Sequence, residues 1–218
     1  NLYFPLSTMT LWLAVQSMGQ APARNRLLAG TAMGLLYHVK PQGLFFPIFF
    51  GIAVLADGQL TPAVSTGDRL RLVARHWLTA VAWALVLAPR LVIAVAFENH
   101  TDPLSLEALL GSYTGRALGD LPFRWDGFLL MFWMNVVVLV VASGLMPGLA
   151  LGGSLARLSD RNAGDIWRRL TLLTASGTLV TTVASARHTI VADADWSVYE
   201  RYLMPIFPAM IVLMLTRP

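Results

Sequence analysis

The stretch from Trp77 to Phe97 carries a single charged residue, Arg90. About 20 apolar residues in a row suffice to cross the hydrocarbon of a bilayer as a helix. In water the same helix would need protein packed against every side of it. The rest of the chain cannot supply that cover. Over 218 residues, 56% are hydrophobic and 13% are charged, against roughly 25% charged in soluble domains. The mean hydropathy of +0.61 points the same way. The composition specifies an integral membrane protein and excludes a disordered or nucleic-acid-binding chain. With no cysteine, disulfides, thiolate metal sites and a cysteine nucleophile are excluded as well.

The hydropathy pattern predicts seven spans: Leu2–Met18, Leu27–His38, Leu44–Leu55, Trp77–Phe97, Phe128–Leu149, Leu170–Ala186 and Tyr202–Leu215. The second and third are short and flank Val39-Lys40-Pro41-Gln42-Gly43. No run alternates with period two, as barrel strands do, so the expected class is an all-α polytopic helix bundle. Residues 1–218 read as a single transmembrane domain. The chain opens on Asn1 and is hydrophobic at once, with no basic segment leading to a small-residue cleavage site, so it does not read as a signal peptide. Asn1-Leu2-Tyr3-Phe4 looks like a protease-site scar, but Pro5 breaks that pattern. The expectation is a fragment lacking its N-terminal spans.

Lysine and arginine accumulate in cytoplasmic loops. With the first residue outside, Arg24, Arg26, Arg69, Arg71, Arg75, Arg157, Arg161, Arg168, Arg169 and Arg217 fall inside. Only Lys40, Arg116, Arg124, Arg187 and Arg201 fall outside, and Arg90 lies within a span. The acids run the other way: Glu98, Asp102, Glu107, Asp120, Asp126, Asp193, Asp195 and Glu200 lie outside, and Asp57, Asp68, Asp160 and Asp165 inside. This bias predicts an outer N-terminus and a cytoplasmic C-terminus. The inner loops read as connectors whose arginines, Arg69, Arg71, Arg75, Arg168 and Arg169 among them, touch anionic headgroups.

The outer loop 98–126 predicts a short amphipathic helix. Asp102-Pro103 is an N-cap followed by proline at the first helical position, and Leu104, Leu106, Leu109 and Leu110 follow. Asn99-His100-Thr101 is a glycosylation sequon, frequent by chance.

Polar groups are costly inside a membrane, so function is sought where they gather. Four places stand out, all on the expected outer side. Lys40 sits between the two short helices, beside Pro41. A 12-residue helix reaches only about 18 Å, so the Lys40 turn is expected either to line a protein-walled cavity or to snorkel from a helix end. Arg90 follows the helix-kinking Pro89, and its planar guanidinium suits phosphate. Arg187-His188 ends the sixth span, and Glu200-Arg201-Tyr202 opens the seventh. Together Lys40, Arg90, Arg187, His188, Glu200, Arg201 and Tyr202 read as a basic outer pocket for a lipid-linked phosphate. Asp193-Ala194-Asp195 is a weak metal-binding pair; no cofactor is expected, and a divalent metal is a lesser alternative.

Other chemistry has little support. There is no Gly-x-Ser-x-Gly elbow, His-Glu-x-x-His or Walker motif, and His38, His76, His100 and His188 show no ligand spacing. Gly148–Gly153 reads as helix packing or a flexible helix end. Thr171, Thr174, Ser176, Thr178, Thr181 and Thr182 make the sixth span hydroxyl-rich, which fits close packing better than a translocation path.

Two stretches carry a resemblance. Ala29-Gly30-Thr31-Ala32-Met33-Gly34-Leu35-Leu36-Tyr37-His38-Val39-Lys40-Pro41-Gln42-Gly43-Leu44 resembles the short-helix Lys/Arg-Pro-x-Gly segment of GT-C class membrane glycosyltransferases. Asn1-Leu2-Tyr3-Phe4-Pro5-Leu6 looks like the start of the helix before it. Tyr199-Glu200-Arg201-Tyr202-Leu203-Met204-Pro205-Ile206-Phe207-Pro208 is similar to the Arg-Tyr-x-x-Pro-x-x-Pro element with which these enzymes enter a late span. The resemblance covers nearly the whole chain. It implies an enzyme of the cell envelope, placed in a bacterial inner or plasma membrane, that transfers a sugar from a polyprenyl-phosphate donor on the non-cytoplasmic side. By motif position, Lys40 and Glu200-Arg201-Tyr202 are the carry-overs. The family's catalytic base is commonly an acid in the first outer loop, which would precede this chain, so no catalytic residue is assigned within 1–218. The expected partners are the donor and membrane lipids, not nucleic acid.

A transporter or flippase for an anionic or lipid-linked substrate is the rival reading. It draws on the broken second and third spans, and the lack of an internal repeat counts against it.

Overall fold

A computed structural model describes residues 2–61, 65–97, 125–142, 145–158, 164–191 and 206–216. Every regular element among the described residues is helical. The helices are α1 (Tyr3–Ser17), α2 (Ala23–Val39), α3 (Phe45–Leu60), α4 (Thr66–Ala74), α5 (Trp77–Phe97), α6 (Trp125–Ala142), α7 (Met146–Ala156), α8 (Asp165–Val191) and α9 (Phe207–Leu215). A 3-10 turn, Pro41–Leu44, joins α2 to α3.

Several helices outrun the apolar runs that predict them. α2 has 17 residues and reaches about 25 Å, because its first turn takes in Arg24 and Arg26. α3 continues through Asp57 to Leu60. α5 coincides with the expected fourth span, and Pro89 lies inside it.

The expected fifth span is divided. α6 and α7 meet at an angle of 108°, and Leu145, at the start of α7, has φ +63°. A positive φ at a bulky residue is costly, and here it lies at the start of α7, where the chain has turned away from α6.

α4 lies where only a connector was expected. Ser65 caps it: the Ser65 hydroxyl accepts from the Asp68 amide at 3.2 Å and donates to Asp68 Oδ2 at 2.7 Å. The Ser65 hydroxyl thereby satisfies one of the amide groups that the first helical turn leaves open.

α2 and α5 make the closest helix pair through Gly30 and Gly34. A Cβ on Gly30 would strike the Thr79 carbonyl, and one on Gly34 would lie 2.6 Å from Val86 Cβ. His38 Nε2 lies 2.7 Å from the Val86 carbonyl farther along the same seam. Small residues four apart let two helices approach without a cavity. The order of these contacts makes α2 and α5 parallel.

Phe46, Phe49, Met33, Leu36, Leu173, Ile206, Met210 and Leu213 are fully buried at the centre. Outward faces carry large apolar side chains in helical register: Ile48, Ile52 and Leu55 on α3, Val81, Leu85 and Val92 on α5, and Trp133, Val137 and Val141 on α6. Two helical segments, 42–60 and 66–93, are long and apolar enough to cross a membrane, and a third counts if α6 and α7 form one span. Exposed apolar rows on helices of that length mark a membrane protein.

Five hydroxyls of α8 serve its own backbone, while the buried Thr182 hydroxyl has no hydrogen-bond partner among the described residues. Thr171, Thr174, Ser176, Thr178 and Thr181 each donate to a carbonyl four residues back, at 2.7–2.9 Å. This supports packing over a polar path, since satisfied hydroxyls let helices press together. Ser185 instead donates to Asn135 Oδ1 on α6 at 2.7 Å, and the Asn135 amide donates to the Met131 carbonyl. Both side chains are fully buried.

Candidate functional site

Pro41 lacks an amide hydrogen and keeps the preceding residue out of the helical region, so Lys40 is extended (φ −159°, ψ 128°) where α2 ends. The turn is tight: the Gly43 amide donates to the Lys40 carbonyl at 2.8 Å. A Cβ on Gly43 would lie 2.5 Å from the Tyr37 backbone nitrogen. Lys40 is half-buried, and its ammonium lies 5.1 Å from the centre of the Tyr3 ring at the start of α1. An ammonium over an aromatic face is attracted by the ring quadrupole. Beside it Gln42 is buried, and its Oε1 has no hydrogen-bond partner among the described residues. Buried polar atoms are nearly always satisfied, so the Gln42 oxygen stands out at this turn. Gln42 occupies the variable position of the Lys-Pro-x-Gly segment, where nothing in the sequence signals its burial.

Arg90 reaches the same end of the bundle, one turn beyond Val86, the residue level with His38. α8 runs antiparallel to α3, with Arg168 against Asp57 and Gly177 against Phe49. Arg187, ten residues past Gly177, therefore also lies toward the Lys40 end. Arg90 and Arg187 are both half-buried. The backbone of His188 continues α8; its side chain lies outside the described residues, as do Glu200, Arg201 and Tyr202. The expected amphipathic helix of the 98–126 loop and the Asp193-Ala194-Asp195 pair lie outside them too. Among the described residues no group of three or more His, Cys, Asp or Glu side chains is placed to hold a metal.

The opposite end, about 22 Å away along the 15 residues of α1, holds a second polar region. Asp57 is 6% exposed. Its Oδ1 lies 3.0 Å from Arg168 Nε and its Oδ2 3.7 Å from Arg169 Nε. Asp165 approaches both arginines at 3.5 Å. Arg168 and Arg169, expected to face headgroups, are instead largely buried around this carboxylate. Gly19, with φ +69°, lies directly under the Arg169 guanidinium, where any Cβ would collide with it. Arg26 donates to the Gly19 carbonyl at 3.0 Å. Burial first, and the charge of Arg75 second, lower its pKa from the usual guanidinium value. A cavity of about 630 Å3 opens between the ends of α1 and α3, α4 and the start of α8.

No family model, curated protein or solved structure matches this chain.

Proposed function

We propose that this chain is part of a membrane glycosyltransferase that takes a sugar from a polyprenyl-phosphate donor and passes it to an acceptor on the non-cytoplasmic side. The observation that carries the reading is the Lys40 turn: a lysine at a Pro-Gly helix break, above an aromatic ring, beside a buried amide whose oxygen has no hydrogen-bond partner among the described residues. In such a transfer the bond between sugar and phosphate breaks, the acceptor oxygen bonds to the sugar, and the acceptor proton goes to a base. Charge builds on the departing lipid phosphate, and fixed cations there lower the barrier. Lys40, Arg90 and Arg187 share the end of the bundle where that phosphate would lie, and Glu200, Arg201, Tyr202 and His188 join them by motif and position. No residue of the chain is assigned as the base. The accompanying topology is seven crossings in a bacterial inner or plasma membrane, with the arginine-rich end in the cytoplasm.

The test is transfer of a labelled sugar from a polyprenyl-phosphate donor by the whole protein in proteoliposomes. Transfer that falls with Lys40→Ala and with Arg201→Ala supports the reading. Full activity in both variants contradicts the phosphate pocket.

One observation favours a transporter or flippase instead: the 108° break between α6 and α7, since discontinuous helices line transport sites. Scrambling of a fluorescent lipid in proteoliposomes, unaffected by added sugar donor, would select that reading.

A further inference from the structure

The cavity at the end remote from Lys40 has no part in the proposed sugar transfer. Its walls carry Arg71, Arg75, His76, Arg168 and Arg169. The acids there are largely engaged: Asp57 holds Arg168 and Arg169, and Asp68 is shared between Ser65 and Arg71. Arg75 has no acidic partner among the described residues, and the like charge of Arg26 stands near it. On the cavity wall, Nδ1 of the half-buried His76 has no hydrogen-bond partner among the described residues, and Nε of Arg169 has only its 3.7 Å ion pair with Asp57. Buried polar nitrogens are seldom left without a partner, and a donating nitrogen beside surplus positive charge is well matched by an anion. The 630 Å3 volume falls within the roughly 300–1,000 Å3 typical of small-molecule sites, so the cavity has room for more than a bare inorganic ion.

We propose that this cavity is a second ligand site, for an organic phosphate held by Arg75, Arg169 and His76, on the face opposite the Lys40 pocket. Guanidinium forks match phosphate oxygens in pairs, and Arg75, exposed at the mouth, is placed to capture the ligand. The deeper Arg169 is fixed by Asp57 and by the bare backbone of Gly19, so it meets the phosphate already oriented. Asp165, exposed on the wall, favours an ester whose other end carries hydroxyl or amine groups. The same chemistry is found in the headgroup of a phospholipid and in a soluble phosphate ester, and the experiment separates them.

The protein is placed in phosphatidylcholine nanodiscs and titrated with glycerol 3-phosphate. A parallel set of nanodiscs contains phosphatidic acid, and thermal unfolding is followed in both. Arg75→Gln removes an exposed cation with little packing loss, and Arg71→Gln/Arg75→Gln is the stronger variant. Arg24→Gln removes an exposed arginine outside the cavity lining and serves as the control. A rise in Tm with glycerol 3-phosphate, its half-effect concentration raised at least tenfold by Arg75→Gln, identifies a soluble ester as sufficient. A rise only with phosphatidic acid, lost in Arg75→Gln and kept in Arg24→Gln, identifies a lipid headgroup. No rise in either set overturns the site. So does an equal loss in Arg24→Gln, which would make the effect one of diffuse surface charge. Sugar transfer is not read in this experiment, so its outcome is separate from the fate of the Lys40 pocket.

Discussion

Arg168 Nε lies 3.0 Å from Asp57 Oδ1, joining α8 to α3 across 111 residues of sequence. The pair is largely buried, at 14% and 9% side-chain exposure. Removing one partner of a buried pair strands the other charge and costs about 3–5 kcal/mol. Asp57→Asn and Arg168→Gln are each expected to lower stability by that order. The double variant is expected to lose less than the sum. Thermal unfolding of the four proteins in detergent checks this, and additive losses would show that the two groups do not interact.

The α2–α5 seam leaves no room for a side chain at Gly30. Gly30→Ala drives a methyl into the Thr79 carbonyl and is expected to cost about 1–3 kcal/mol, as overpacking does. Gly51→Ala, where a Cβ meets nothing within 4 Å, is the comparison. It is expected to be neutral or slightly stabilising, since alanine favours the helix. The difference in Tm between the two variants is the readout.

The buried Ser185–Asn135 bond ties α8 to α6. Hydrogen bonds between helices in membranes are worth about 0.6 kcal/mol on average and up to about 1.7. Ser185→Ala also strands the Asn135 oxygen, so a loss near the upper figure is expected. Ser185→Ala in an Asn135→Leu background is expected to cost much less, which unfolding of the three variants measures.

How much of this was legible in the sequence depends on where the information lies. α5 is legible in the sequence because it is apolar except for Arg90 over 21 residues. α4 was missed because its charges made it look like a loop, although Ser65 and Asp68 spell an N-cap. The bend after α6 is invisible to hydropathy, since both arms are apolar. Gly30 and Gly34 were quoted for a resemblance, yet their four-residue spacing was itself the packing signal. The Arg168 and Arg169 contacts depend on an acid more than a hundred residues away, so local charge counting assigned them to headgroups. Lys40 was legible because a proline and a glycine fix the chain around it. Gln42 was not, because its importance lies in burial.

The chain has no cysteine, so single introduced cysteines report topology without background. Arg71→Cys, at a highly exposed side chain of α4, is expected to react with an impermeant maleimide only from the cytoplasmic side. Leu2→Cys, at the Lys40 end, is expected to react only from the opposite side. Labelling of both from one side would contradict the orientation.

Sugar transfer by Lys40→Ala and Lys40→Arg in proteoliposomes tests the central claim most directly. Losing one preorganised donor to a developing anion typically costs about 10²–10³ in kcat. Lys40→Ala is therefore expected to fall by that factor, with the charge-preserving Lys40→Arg recovering part of it and both proteins keeping the wild-type Tm. Wild-type kcat in Lys40→Ala would contradict a phosphate-holding role for the Lys40 turn.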